Sequence, residues 1–167
     1  MTLITSTPNV GLVKYWRGHP TVDLETNENL DIIDAAYQAG VKVVKSSLAS
    51  GDADDYAFTW QNPESSEILV RQVIIDVVTA GGTANSVLDV DVVADATSTA
   101  DTIFDGINLN AVGISSSTNV ADTGTNGDEE VKKVDANGGT NDWITGKILV
   151  ANAASLVGKY YIEYIVV

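Results

Sequence analysis

Residues 159–167, Lys159-Tyr160-Tyr161-Ile162-Glu163-Tyr164-Ile165-Val166-Val167, are β-branched or aromatic apart from one lysine and one glutamate. Such side chains lose rotamer freedom in a helix and pack well on a pleated surface. A run of this kind on an open edge would template aggregation, so it needs a strand on each side. The chain must therefore build a sheet in which its last segment is central.

The preceding hundred or so residues carry the same signature in shorter pieces. Tyr56-Ala57-Phe58-Thr59-Trp60 alternates aromatic and small side chains, and residues 68–78 form a long branched run with Arg71 and Asp76 as polar exceptions. Residues 86–93 place Leu88, Val90 and Val92 on one side and Asp89 and Asp91 on the other, the pattern of a half-buried strand with one wet face. Shorter strands are expected around Ile103-Phe104 and residues 107–114, and at 131–134, 143–150 and 156–167. Asn62-Pro63-Glu64 and residues 137–141 read as turns, Ala80-Gly81-Gly82-Thr83 as a hairpin, and residues 124–130 as a polar loop. About eight short strands joined by Gly and Asn turns predict an antiparallel β-sandwich of jelly-roll type. No period of 20 to 50 residues recurs, which excludes solenoids and propellers.

The first 28 residues do not fit either structural period. Pro8 and Pro20 interrupt them, and Gly11 and Gly18 loosen them. Within them Val10, Leu12, Val13, Tyr15 and Trp16 gather beside Lys14 and Arg17. Tyr, Trp and Arg carry much of the binding energy at interfaces, so one reading is an extended arm anchored on another chain through Val10, Leu12, Tyr15, Trp16 and Arg17. The other is that Tyr15 and Trp16 pack back on their own domain as a first strand. A short helix is expected next, with Asn29 as N-cap, Asp31 and Asp34 in its first turns, Ile33, Ala36 and Tyr37 on one face, and Gly40 as its stop. Residues 41–45 read as an edge strand guarded by Lys42 and Lys45. The expected organisation is an N-terminal part, residues 1–50, and a β-sandwich body, residues 51–167, divided at the loop of residues 46–55.

Charge follows this division. The chain of 167 residues has a net charge of −14. Residues 1–50 hold four basic against five acidic groups, while residues 51–167 hold five against 18. A body this acidic stays soluble by repulsion and argues against nucleic acid, whose phosphates need clustered Lys and Arg. The lack of cysteine excludes disulfides, thiolate nucleophiles and Cys-ligated metals, and the single histidine, His19, cannot supply a multi-His centre. No apolar run reaches the roughly 20 residues of a membrane span, and the N-terminus lacks a signal peptide's basic-then-apolar layout. No Gly-rich phosphate cradle precedes a helix. The expectation is a protein that is not an enzyme and needs no cofactor, nucleic acid or membrane.

Three spots still deserve weighing as chemistry. Asp122, Asn126 and Asp128 sit in a glycine-bearing acidic loop that resembles a calcium loop in composition, but Gly124 stands third and Lys133 twelfth, where an EF-hand needs a ligand and a bidentate Glu. A solvated loop is the plainer reading. Asp89 and Asp91 lie roughly 7 Å apart on one strand face, a separation compatible with paired carboxylates. Trp60 and Trp143 could stack on a sugar, or could close the ends of the core.

The stretch 58–64, the strand 68–77, Leu88-Asp89-Val90, Trp143-Ile144-Thr145-Gly146, and Leu156-Val157-Gly158-Lys159 with its tyrosine-rich sequel together resemble a layout recurring in virion proteins of tailed bacteriophages. The resemblance covers residues 56–167 and is closest in style to head decoration (cement) or auxiliary capsid proteins. It implies a β-rich body on the outer surface of the capsid in the virion, assembled in the host cytoplasm. It also implies the major capsid protein as partner, a homotrimer, and a terminal arm pinned across joints between subunits. The chain differs from the smallest decoration proteins in its longer N-terminal part. A head fibre, tail or baseplate component and a carbohydrate-binding module are the competing expectations.

Overall fold

A computed structural model of the chain describes residues 3–6, 13–15, 40–82, 85–128 and 130–167. The chain divides into two compact units, Met1–Gly40 and Val41–Val167. In the first, β1 (Leu3–Ser6) and β2 (Val13–Tyr15) pair antiparallel, with Leu3 opposite Tyr15 and Ser6 opposite Val13. Tyr15 is thus a strand residue. Val10, Leu12, Trp16 and Arg17, and the helix expected between Asn29 and Gly40, lie outside the described residues.

The second unit holds β3 (Lys42–Leu48), β4 (Tyr56–Gln61), β5 (Ile68–Thr79), β6 (Val87–Val93), β7 (Phe104–Asn108), β8 (Gly113–Ser116), a one-turn helix α1 (Val120–Thr123), β9 (Lys132–Val134), β10 (Trp143–Leu149) and β11 (Val157–Val166). One sheet runs β4-β10-β6-β7, the other β3-β11-β5-β8, with β9 added along β5. Every pairing is antiparallel. Leaving out β9, the first body strand pairs with the last, the second with the second-last, the third with β8, and β6 with β7. This is the order of a long hairpin ribbon rolled up on itself, and it makes the body a jelly roll. The final segment is central, flanked by β3 and β5 as its composition requires. Because β3 is laddered along β11 from Lys42 to Leu48, it belongs to the sandwich rather than to the N-terminal part.

Rolling the ribbon sends most connections across the sandwich. The expected hairpin between β5 and β6 is therefore not formed: the two strands lie in different sheets, and the Gly81 N–H donates to Leu109 O rather than across a two-strand turn. The turn residues mark a change of direction, and sheet membership is decided by the long-range pairing. The helix α1 interrupts a region read as strands and loop, with the Asn119 side chain accepting from Ala121 N at its start.

The core fills the space between the sheets. Ile68, Val70, Val73, Ile75 and Val77 of β5 and Ile162 and Tyr164 of β11 face Phe58, Leu88, Val90, Ile144 and Ile148. Phe58 stacks on Tyr160 across the interior with ring centroids 4.2 Å apart. At one end Glu64 Oε1 accepts from Lys42 Nζ at 2.8 Å and from the Tyr164 hydroxyl at 2.9 Å. The fully buried Asn62 closes the same end, donating to Ser66 O and Asp135 O and accepting from Glu64 N.

Candidate functional site

Alternation along β6 puts Leu88, Val90 and Val92 inward and Asp89 and Asp91 outward, as their β10 partners show: Thr145 opposite Asp91 and Lys147 opposite Asp89. The outer face is not wet throughout, however. The segment 94–103 folds across it, with Thr145 Oγ1 donating to Ser98 O and the Tyr56 hydroxyl donating to Thr97 O. Asp91, only 5% exposed, accepts from Thr102 N, Thr102 Oγ1 and Val92 N. Its carboxylate anchors that segment and is consumed by it. Asp89 and Asp91 therefore do not form a free acid–base pair.

Asp89 has different neighbours. A bulge between β6 and β7 holds Gly106 at φ +84°, and the Gly106 N–H donates to Asp89 Oδ1 at 2.8 Å. Carboxylate oxygens of Asp89, Asp101 and Asp105 lie within 4.8 Å of one another, all half-buried. Burial pushes the Asp89 carboxyl up, the Gly106 N–H opposes this, and the negative charges of Asp105 and Asp101 add to the rise. Asn126 spans the group, its N–H on Asp105 Oδ2 and its amide on Asp101 Oδ2. Three carboxylates at this spacing are the kind of donor set a hard cation takes. Sequence reasoning missed the group because Asp101 and Asp105 are brought to Asp89 only by the β6–β7 pairing.

The acidic-loop residues are not convergent. Asp122 accepts from Ser116 N, Asp128 is paired with Lys132 at 2.8 Å, and Asn126 belongs to the triad just described. The tryptophans separate too. Trp60 faces inward opposite Ile144 and packs at 5.6 Å from the Tyr164 ring, whereas Trp143 points outward with Gln61 and Val93 as register neighbours. They share no stacking platform.

A second surface of interest lies on the other sheet. The outward positions of β3, β11, β5 and β8 include Val43, 62% exposed, and Ile114, 68% exposed, with Val78 and Val157 also exposed. Tyr161, Ile74, Ile165 and Leu69 are half-buried among them. The outward charged groups of these strands are Lys45, Arg71 and Lys159 against Asp76 and Glu163, in a body with seven basic and 18 acidic groups. Lys45 sits over the Tyr161 ring at 5.6 Å, and Arg71 pairs with Glu163 at 3.1 Å. The outer face of this sheet is thus mixed, with aliphatic and aromatic side chains set among nearly balanced charges and Lys133 of β9 beside Leu69. Its signal in the sequence is the failure of β5 and β11 to alternate, since strands covered on both sides need no polar face. No described helix is long and apolar enough to cross a membrane. No family model, curated protein or solved structure matches the chain.

Proposed function

We propose that this chain is a structural protein of a virion, bound to the outer capsid surface and stabilising the shell by bridging neighbouring subunits. The observation that carries the reading is a body that joins a separate unit, residues 1–40, to a sheet face bearing exposed Val43, Val78, Ile114 and Val157, so that the shell and a second chain can each be given a surface of their own. Exposed apolar patches of this kind mark contact surfaces. The resemblance of residues 56–167 to virion proteins supplies the setting. A jelly roll gives a rigid scaffold, its acidic remainder discourages non-specific stacking, and the separate unit of residues 1–40 supplies an attachment element. Val10, Leu12, Tyr15, Trp16 and Arg17 are the residues assigned to the capsid contact. Many modest contacts on a repeating shell add up to a firm grip through effective concentration.

The test is co-sedimentation of the purified chain with expanded shells of the major capsid protein that is its proposed partner. Binding that disappears on deleting residues 1–28 supports the reading. A protein that stays in the supernatant at every ratio overturns it.

A further inference from the structure

We infer that a second copy of this chain covers the outward face of the β3-β11-β5-β8 sheet, related by a two-fold axis along the seam between β11 and β5. This rests on the reading of that face as a contact surface. The seam is the centre of the sheet, with β3 beyond β11 and β8 beyond β5. An axis lying along it, between two facing copies, carries each outward β11 residue of one copy over its β5 register partner in the other. Those partners are Lys159 with Asp76, Tyr161 with Ile74, and Ile165 with Leu69. Along the seam the face is therefore self-complementary at these three levels, cation on anion and apolar on apolar, with Glu163 meeting Gln72 between them and Ile114 meeting Ser47 at the flank. Lys159 and Asp76 make no ion pair with any described residue, so each is available to its counterpart.

Charge and area select this occupant. The face carries four basic outward groups, Lys133 of β9 included, and two acidic ones, so two copies meet there without stacking acid on acid. The crowded carboxylates Asp89, Asp101 and Asp105 lie on the other sheet, about 10 Å further back, beyond a Debye length of about 8 Å. Four strands about 4.8 Å apart and some 26 Å long offer on the order of 500 Å² per copy. Two copies then bury about 1,000 Å², the lower bound for a specific interface, which predicts a reversible micromolar dimer.

Sedimentation velocity of the full chain, in a concentration series reaching about 100 µM, tests it. The expected result is a monomer–dimer equilibrium. Lys159→Asp and Asp76→Lys should each raise the dissociation constant at least about tenfold, because each sets like charges face to face. The double variant should return it to within about threefold of the original. Thermal unfolding followed in parallel separates loss of pairing from loss of fold. A monomer at the highest concentration, a mass of three chains, or a charge swap that fails to restore pairing overturns the inference. A monomer that still co-sediments with shells removes the dimer and leaves the virion role standing.

Discussion

The Phe58 ring lies directly over the α-carbon of Gly146: a Cβ built there would stand 2.3 Å from Phe58 Cε1. Gly146 is the β10 partner of Phe58, and the same ring stacks on Tyr160 of the opposite sheet. The glycine lets one aromatic ring reach across the sandwich and tie its layers together. Gly146→Ala must push that ring out of its stack, and overpacking of this kind costs about 1–3 kcal/mol. Urea unfolding should show a lower midpoint with an unchanged slope, and Phe58→Leu in the same background should recover part of the loss.

Two carboxylates should move stability with pH in opposite senses. The Lys42 ammonium, hydrogen-bonded to Glu64, holds that carboxyl below its usual range, with burial opposing and the Tyr164 hydroxyl assisting. The ionised form is favoured in the fold, so this contribution is present above the ordinary glutamate range and drains away as pH falls through the lowered folded value. Glu64→Gln should therefore flatten the acid limb of a stability–pH curve measured by chemical denaturation.

Asp89 has the reverse sign. Burial raises its pKa, so the fold loses stability as pH rises from the ordinary aspartate range through the raised folded value. Asp89→Asn keeps an oxygen for the Gly106 N–H while removing one of three crowded charges. It should raise the thermal midpoint at pH 7 and leave it nearly unchanged at pH 3.

Val150 occupies the left-handed region, φ +70°, while 74% exposed at the end of β10. A β-branched residue there is strained and little packing compensates. Val150→Gly should stabilise the body by about 0.5–1 kcal/mol, the strain relieved less the extra entropy of glycine in the unfolded chain. Guanidinium unfolding of the two proteins provides the comparison.

The sequence was informative where side-chain period decides the outcome. The alternation of Leu88, Val90 and Val92 sets the inward face of β6, and the branched run at the C-terminus demands the central place that β11 takes. It was less informative where partners lie far apart in the chain. Ala80-Gly81-Gly82-Thr83 has hairpin chemistry, yet its flanking strands belong to different sheets. Asp91 looks solvent-facing by period, but a segment ending at Thr102 closes over it. The outward apolar face was legible in principle, because Ile74 and Tyr161 interrupt any polar alternation, but a buried strand and a strand awaiting a partner have the same composition.

The proposed role is surface burial on a viral shell, and quantitative co-sedimentation with expanded shells measures that directly. Saturable binding with a fixed number of copies per shell, lost when residues 1–28 are removed, is the result expected. Equal recovery in the supernatant with and without shells, for both the full chain and the truncated one, would contradict it.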